Sequence, residues 1–468
     1  MSRRSSNHGH SSAVAVLITL IVLMIAASAF MVYQCIELVR QPVTANPDST
    51  PTVTLPASRP QPETEQTEPP TEATTEPTEY HPQVVSTATI AAQGDLLMHI
   101  GVINSCKQSD GSYDFSSIFR YLGDYVGNYD YAAVNLETTL GGSDYPVQGN
   151  PDFNCPDSIV DAVKATGYDM LLTANNHCSD THTDGILRTV EKIRDQGITA
   201  LGTQLSDDDN FAVVDVNGIR IGMVCYTYAT SVTSDGRPSL NFRESVKQVG
   251  VVNYFSENDL PSFYSELDGV LKNMEQLGAE ASMVFIHWGV EYETTENATQ
   301  RAIAQKLCDM GVDVIVGGHP HVVQPVDLLE STEDPAHKTV CIYSLGNAVS
   351  NQRIAEMRLK TGHTEDGALF SVTFEKYDDG SVYLAGADVL PTWVNMSSVN
   401  GQKEYNILPL DNSRREEWQS MFNLTDSLLA NAESSYARTM ALVESGLQEC
   451  NDYLTQAKTQ REALPPAA

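Results

Sequence analysis

The chain has 468 residues, of which 41% are hydrophobic and 19% charged, a balance that is typical of a globular protein and excludes a wholly disordered one. Its length suffices for one large α/β domain with appendages, or for two domains. The formal net charge is −33, from 61 acidic and 28 basic side chains, which repels phosphate backbones and argues against nucleic acid as a partner. An anionic substrate therefore needs a local positive centre, such as a bound metal ion.

The N-terminus predicts a membrane anchor. Residues 13–33 contain no charged side chain, and as a helix they are long enough to cross a hydrocarbon layer about 30 Å thick. Two arginines precede them, which favours residues 1–12 in the cytoplasm. We therefore expect a single-pass protein of the cell membrane with an extracellular C-terminal domain. The alternatives are a signal peptide cleaved near residues 27–29 and lipidation at Cys35.

Residues 34–83 predict a disordered linker. Pro, Thr and Glu dominate most of this stretch, and no apolar period runs through it, so the segment cannot bury a core. Prolines and like charges keep such a chain extended. We expect the linker to hold the following domain away from the membrane.

Residues 84–400 predict an α/β domain, because apolar strand-like runs alternate with helical stretches. Strands are predicted at 84–92, 131–135, 170–173, 211–216, 219–226, 281–286, 312–317, 339–343, 368–375 and 381–387. Asn217 and Gly218 predict the two-residue turn of a hairpin. Apolar stripes predict helices near 115–126, 159–167, 186–197, 267–277 and 301–310.

Residues 401–468 predict a helical C-terminal extension, with one or two polar helices between about 413 and 461. We interpret it as an appendage packed on the domain, with an interaction arm for another membrane component as the alternative. The change from alternating strands and helices to a long polar helical pattern is the reason for placing a boundary at residue 400.

The eight cysteines contain no C-x-x-C pair and no zinc-knuckle spacing. Export permits disulfides, and Cys106 with Cys155 is the first candidate pair because both lie in loop-like sequence. Cys225, Cys308 and Cys341 lie in apolar segments and predict small core residues.

Five polar clusters each follow directly on a predicted strand. They are Gly94-Asp95, Asn135-Leu136-Glu137, Asn175-Asn176-His177, His287-Trp288-Gly289 and Gly318-His319-Pro320-His321. Taken singly, each has an ordinary structural explanation, such as a core histidine or a turn aspartate. Because ligand sites in α/β sheets form at the carboxyl ends of strands, the five clusters together predict one shared site. Their carboxylate, amide and imidazole donors suit divalent Mn, Zn or Fe and lack the thiolates of structural zinc sites.

With the YSLGN segment at residues 343–347, the order and spacing of these clusters resemble the CapA family of poly-γ-glutamate capsule-synthesis proteins, which carry a PGA_cap domain. The resemblance covers roughly residues 90–347. The family in turn resembles the calcineurin-like metallophosphoesterases. It therefore implies a four-layer α/β/β/α sandwich with one or two metal ions at the strand ends.

The resemblance also implies a role for each residue that matches a family motif. The implied metal ligands are Asp95, Glu137 as the bridging carboxylate, Asn176, His287, His319 and His321. His177 is implied as the histidine that does not bind metal and protonates a leaving oxygen. The implied substrate-binding residues are Asn135, Tyr343, Ser344 and Asn347.

Two departures from the phosphoesterase pattern predict a weakened site, with one metal missing or loosely held. The usual first motif is Asp-x-His, but here Asp95 is followed by two leucines, and the next histidine is His99. Glu137 is one methylene longer than the usual bridging aspartate. His99 substitutes for the missing ligand only if this segment is helical, so that positions 95 and 99 share a face.

Two functions are compatible with this sequence. The first is a role in capsule or poly-γ-glutamate synthesis, export or anchoring, with the site holding an anionic polymer within a membrane capsule-synthesis complex. The alternative is a surface metal-dependent phosphoesterase that acts on an envelope or nucleotide phosphate ester. Fold and motifs cannot separate these functions, so the sequence leaves open whether the protein is an enzyme.

Overall fold

The computed structural model of the protein describes residues 81–206, 209–234, 236–242, 251–399 and 401–463, all within one unit of residues 77–468. The predicted cytoplasmic segment 1–12, the anchor 13–33 and the linker up to residue 80 lie outside these ranges. Within the ranges, every helix is too short or too polar to cross a bilayer.

The strands of the described ranges form two large sheets and one small hairpin. The strands are β1 (Val84–Leu96), β2 (Tyr131–Asn135), β3 (Met170–Leu172), β4 (Thr199–Leu201), β5 (Ala212–Val216), β6 (Ile219–Tyr228), β7 (Ser231–Val232), β8 (Pro238–Ser239), β9 (Tyr254–Phe255), β10 (Ala281–His287), β11 (Val314–Gly318), β12 (Val326–Glu330), β13 (Lys338–Ile342), β14 (Asn347–Val349), β15 (Asp366–Tyr377), β16 (Val382–Val399) and β17 (Gln402–Pro409). The short strands β7 and β8 pair with each other.

The helices lie mostly between consecutive strands. The α-helices are α1 (Ile100–Ser105), α2 (Gly123–Val126), α3 (Ser158–Thr166), α4 (His182–Asp195), α5 (Leu260–Gln276), α6 (Ala298–Asp309), α7 (Trp418–Met421) and α8 (Asp426–Glu462). The helix predicted over residues 115–126 is regular only in α2, and turns occupy most of the preceding segment.

Both large sheets mix parallel and antiparallel strands: the parallel strands form one half of the first sheet and the centre of the second. The first sheet has the order β17-β16-β15-β1-β2-β3-β4, with β14 also paired to β1, and its strands β1 to β4 are parallel. The second has the order β12-β13-β11-β10-β6-β5, with β9 beside β6, and its strands β6, β10, β11 and β13 are parallel. The carboxyl ends of the parallel strands in each sheet therefore meet at one edge.

Local sequence signals explain several of these elements. The hairpin of β5 and β6 turns at Asn217 and Gly218, both with positive φ as a type I′ turn requires. Helix α6 begins with a capping box, in which the side chain of Asn297 accepts from the backbone of Gln300 and the reverse bond is also formed.

The buried apolar residues fall into three main clusters that place helices on the outside of the sheets. One cluster lies between the sheets and includes Ile90, Met223 and Phe370. A second joins the first sheet to α1, α3 and α4, and a third joins the second sheet to α5 and α6. The α/β class predicted from the sequence is confirmed.

The C-terminal region is built into this framework. The predicted boundary at residue 400 falls in the hairpin between β16 and β17, so the same sheet continues on both sides of it. Helix α8 then packs on both sheets: Asn451 hydrogen-bonds the backbone of Ala387 in β16, while Gly446 lies so close to β12 that a Cβ there would be 1.6 Å from the Val326 oxygen. These contacts join α8 to both sheets of the domain.

The cysteines of the described ranges are buried free thiols. Cys106 and Cys155, the first candidate pair for a disulfide, are therefore not bonded to each other. Both belong to the cluster between the first sheet and its helices, where they pack as small apolar side chains.

Candidate metal centre

The strand-end clusters meet at one place, as the sequence predicted. Asp95 at the end of β1 lies 3.1 Å from the Nδ1 of His321, although 226 positions separate the two residues. The Nε2 of His287, at the end of β10, lies 2.8 Å from the Oδ1 of Asn176. Residues from both sheets therefore contribute to a single buried centre.

The centre consists of two overlapping groups of side chains that could each hold a metal ion. We call the group of Asp95, Glu137 and His321 the Asp95 side, and the group of Glu137, His287 and His319 the His319 side. In each group the potential ligand atoms lie within 4.8 Å of one another. Glu137 belongs to both groups, which is the geometry expected of a bridging carboxylate.

The shared carboxylate lacks protein partners. Glu137 is fully buried, and among the described residues neither of its oxygens accepts a hydrogen bond. Its Oε1 lies 3.5 Å from the Nε2 of His287 and 3.8 Å from the Nε2 of His321. A buried carboxylate without donors is costly, whereas divalent ions beside it would satisfy both oxygens. The residues present therefore fit a metal centre with mixed oxygen and nitrogen donors.

His319 also has a buried nitrogen available for a ligand. Its Nε2 lies 2.8 Å from the hydroxyl of Tyr228, whereas its Nδ1 has no hydrogen-bond partner in the described part of the chain. Its backbone adopts a φ of 95°, which is rare for residues other than glycine. Such strain persists where the surroundings fix the residue and is common at functional sites.

Two glycines at the end of β11 allow close contacts with neighbouring residues. A Cβ at Gly317 would lie 1.9 Å from the carbonyl oxygen of Tyr343, and one at Gly318 would lie 3.3 Å from the Oδ1 of Asp95. The two glycines at the end of β11 therefore allow the backbone before His319 to lie against both Tyr343 and Asp95.

The two sides differ in charge. Burial lowers the pKa of His321, but the charge of Glu137 and the hydrogen bond to Asp95 outweigh it and raise the pKa to about 9. Burial raises the pKa of Asp95, but its contacts with His321 bring the net pKa below its usual value. Burial and the neighbouring imidazoles lower the pKa of His319 well below its usual value. Without metal, the Asp95 side therefore holds an ion pair, whereas His319 is a neutral imidazole.

Asparagines orient the carboxylate of Asp95. Asn135 donates to the Oδ1 of Asp95 at 2.7 Å, and Asn175 donates to the Oδ1 of Asn135 at 3.1 Å. Asn175 also donates to the backbone oxygen of Leu136 at 2.9 Å. Asn135, for which the resemblance implied substrate binding, is thus engaged with a candidate ligand.

His177 forms a pair with an acidic residue that the sequence analysis missed. Its Nδ1 lies 2.7 Å from the Oδ2 of Asp180, and the same oxygen accepts from the backbone N–H of Phe153 at 2.7 Å. The ring of Phe153 packs edge-on against His177, with centroids 4.6 Å apart. Burial raises the pKa of Asp180, although its bond to His177 opposes the shift. The spacing of three residues between His177 and Asp180 was the signal available in the sequence.

The YSLGN segment lies in the buried structure next to the centre. Tyr343 packs in the core between the second sheet and its helices, where its carbonyl accepts from the indole of Trp288 at 2.9 Å. The hydroxyl of Ser344 accepts from the backbone of Gly346, and Asn347 donates to the backbone oxygen of His321 at 3.2 Å. All three side chains are buried and held in scaffolding contacts, which differs from the pocket-lining role that the resemblance implied.

His99 does not fill the position left by the missing Asp-x-His histidine. Helix α1 begins only at Ile100, so residues 95 and 99 do not share a helical face. The Nδ1 of His99 lies 3.2 Å from the oxygen of Leu97 and 3.3 Å from the backbone nitrogen of Asn351. Burial lowers its pKa to about 4. Neither candidate ligand group found within the described ranges includes His99.

With this geometry in place, comparison with known proteins gives the family. The family described as Bacterial capsule synthesis protein PGA_cap matches residues 89–352, more than half of the chain and every residue of both sides of the centre. The chain belongs to this family. The resemblance inferred from the strand-end clusters is thereby confirmed.

Two curated relatives support the assignment. The Capsule biosynthesis protein CapA of Bacillus anthracis is 26% identical over 349 residues, which covers 70% of this chain and 75% of the relative. The PGA biosynthesis protein CapA of Bacillus subtilis (strain 168) is 26% identical over 317 residues, covering 66% and 73%. The crystal structure of TT1561 of Thermus thermophilus is 9% identical, with a TM-score of 0.32, over 61% of this chain and 94% of that chain.

Proposed function

We propose that the protein acts in capsule biosynthesis by binding poly-γ-glutamate, or another anionic or phosphate-containing substrate, at a centre of one or two divalent Mn, Zn or Fe ions. The names of the two CapA relatives support the capsule role. Glu137 is the observation that carries the proposal, because this buried carboxylate without a donor among the described residues is common to both sides of the centre.

We assign the ions to the side chains already grouped around Glu137. Asp95, Glu137 and His321 would hold one ion, and Glu137, His287 and His319 the other, with the amide oxygen of Asn176 beside His287 as a further ligand. When bound, a divalent ion supplies Lewis-acid polarisation of a phosphoryl or carbonyl oxygen. In a chain with a net charge of −33, the centre is also the point at which an anion can be held.

A second candidate function is phosphoester hydrolysis, which the pairing of His177 with Asp180 favours. Asp180 accepts from the Nδ1 of His177 and so fixes the tautomer, which leaves Nε2 as the nitrogen for proton exchange. The His177 side chain is 12% exposed, whereas that of Asp180 is fully buried. His177 can therefore give a proton to a leaving oxygen while Asp180 holds its ring in place.

The order of helices, two sheets and helices supports a four-layer sandwich of the metallophosphoesterase type as the interpretation of the fold. The site at the carboxyl ends of parallel strands agrees with that interpretation. The membrane location stays a proposal from sequence: residues 13–33 as a single-pass anchor, an extracellular domain, and a capsule-synthesis complex in the membrane as partner.

The test measures binding and hydrolysis with the same full-length protein. We expect poly-γ-glutamate to bind in the presence of Mn²⁺ and to be released by chelation, and the double variant His319→Ala, His321→Ala to lose this binding. Hydrolysis of bis-p-nitrophenyl phosphate in Mn²⁺ would favour the phosphoesterase function. A protein that neither binds the polymer nor cleaves the ester, although metal is bound, would contradict both functions.

A further inference from the structure

Two side chains of helix α8 donate hydrogen bonds to the buried carboxylate of Asp366. Asp366, at the start of β15, accepts from the Nε and Nη2 of Arg438 at 2.7 and 2.6 Å, and from the hydroxyl of Ser435 at 2.6 Å. Asp366 is 1% exposed, and the two-pronged contact with arginine is the strong form of this ion pair. Arg438 also donates to the backbone oxygen of Gly362, so it holds both ends of the segment 362–366.

One path leads from this segment to Asp95. Gly346 has a φ of 66° and lies so close to Asp366 that a Cβ there would be 2.7 Å from the Asp366 carbonyl oxygen. Gly346 also pairs with Gly367, the next residue of β15. The carbonyl of Gly346 in turn accepts from the backbone N–H of Asp95 at 3.0 Å. Asp366 is therefore connected to the Asp95 backbone through a single intervening residue.

A second path leads from the same segment to His321. The carbonyl of Thr364 accepts from the side-chain amide of Asn347 at 3.0 Å. That amide also donates to the backbone oxygen of His321 at 3.2 Å. The segment that Arg438 holds is thus connected to both of the residues that, with Glu137, make up the Asp95 side.

The His319 side is supported by other elements. His287 contacts Asn176, which follows β3, and His319 contacts Tyr228 at the end of β6. Neither partner belongs to the segment 362–366 or to α8. A substitution of Arg438 is therefore expected to weaken metal binding on the Asp95 side more than on the His319 side.

We propose that Arg438, with Ser435, is a positioning residue that holds the Asp95 side of the centre in its metal-binding geometry. The inference deepens the proposed function, because it rests on a metal centre at these residues. It also gives α8 a role at the site: the family match ends at residue 352, whereas Asp366, Ser435 and Arg438 all lie beyond it. Groups that hydrogen-bond a metal ligand directly are typically worth about 10–100-fold in metal affinity. Arg438 acts through such groups, so we expect its effect at the lower end of that range.

The test separates the two sides in the full-length protein. In an Asp95→Asn background the remaining ion occupies the His319 side, and in a His319→Ala background it occupies the Asp95 side. Adding Arg438→Ala is expected to weaken Mn²⁺ or Zn²⁺ binding by about 10-fold in the His319→Ala background and to leave it unchanged in the Asp95→Asn background. Arg438→Lys should recover part of the loss, because lysine keeps the charge but not the two-pronged contact.

The matched control is Lys458→Ala, which removes another ion pair between α8 and β15, at Glu375. It should leave both affinities unchanged. Equal weakening in the two backgrounds, or the same effect from Lys458→Ala, would show general destabilisation and overturn the inference.

Hydrogen exchange of the metal-free protein gives a measurement that does not depend on metal. Arg438→Ala should speed exchange at the amides of Asp95 and residues 345–349, whereas Lys458→Ala should not. Unchanged exchange at these amides would overturn the positioning role. If the wild-type protein held no metal, the proposed function would fail, and the exchange result alone would decide whether Arg438 holds this segment.

Discussion

The Asp95 side and the His319 side share Glu137 but are built differently. The Asp95 side contains a carboxylate paired with a charged imidazole, and it is held by Asn135 and by the backbone of Gly346. The His319 side contains two imidazoles and is held by Asn176 and Tyr228. A metal ion must displace a proton from the first side, whereas on the second the buried His319 is already neutral.

The missing Asp-x-His histidine falls on the Asp95 side. Leu97 occupies that position and is buried, so this side has one donor fewer than the phosphoesterase pattern, as the sequence predicted. Asp95 and His321 are held by Gly346 and Asn347, which residues 362–367 and then α8 support in turn. We therefore expect metal binding on the Asp95 side to depend more on the groups that position its ligands than metal binding on the His319 side does.

The largest expected effect is on phosphoester hydrolysis, and it tests whether the two sides of the centre together support that reaction. If the phosphoesterase function is correct, His177→Ala should lower kcat on bis-p-nitrophenyl phosphate by about 10²–10⁴-fold, the usual contribution of a positioned acid. Metal content should stay unchanged, because His177 pairs with Asp180 and belongs to neither ligand group. Steady-state kinetics with elemental analysis measures both quantities. His182→Ala, at an exposed histidine five residues along, is the control, and an unchanged kcat in His177→Ala would contradict the assigned role.

The next prediction compares the supports of the two sides. Asn347→Ala removes the amide that holds the His321 backbone, and Tyr228→Phe removes the hydroxyl beside His319. Asn347→Ala is expected to lower the metal affinity of the Asp95 side by about 10–100-fold, and Tyr228→Phe that of the His319 side. Each variant should leave the affinity of the other side unchanged. Competition titration in the Asp95→Asn and His319→Ala backgrounds resolves the two ions.

Asn406→Ala is the control for the first of these variants, because Asn406 makes a similar amide contact, to the oxygen of Ser117, elsewhere in the first sheet. Loss of the same ion in Asn347→Ala and Tyr228→Phe would show that the two sides are not supported separately.

The smallest expected effect concerns His99, which lies near His321 and stays neutral. Its pKa is about 4 in the folded protein because of burial and the charge of His321, against about 6.5 in an unfolded chain. The unfolded state therefore binds more protons between these values, so stability falls as the pH drops below about 6.5.

His99→Gln should reduce this acid sensitivity by about 1–2 kcal/mol between pH 7 and pH 5, measured by urea unfolding at the two values. His182→Gln, at an exposed histidine, serves as the control. An equal loss of stability on acidification in wild type and His99→Gln would refute the prediction.

The sequence predicted the meeting of the clusters better than the direction of individual side chains. Strand ends meet at a sheet edge whatever the details, so Asp95, Glu137, His287, His319 and His321 could be placed together. Successive side chains of a strand point to opposite faces of the sheet. Strand register therefore decides whether a side chain near a strand end faces the site or the neighbouring layer. For that reason Tyr343 and Asn347 were assigned to a pocket but pack behind the centre.

Contacts between distant parts of the chain were beyond prediction. Arg438 and Asp366 are 72 positions apart, and neither stands in a recognisable motif. The boundary at residue 400 was placed by the helical pattern that follows, so the hairpin of β16 and β17 was divided between a domain and an extension. Asp180 could have been predicted, because its spacing of three residues from His177 allows the two side chains to meet.

The most direct test of the central claim is the metal content of the wild-type protein against that of Glu137→Gln. Because Glu137 is the carboxylate common to both sides, elemental analysis after gentle purification should find one or two Mn, Zn or Fe ions in the wild type and none retained in the variant. Glu266→Gln, at a glutamate that bonds Tyr226 in the core of the second sheet, should retain its metal. Full metal content in a folded Glu137→Gln variant would contradict the account.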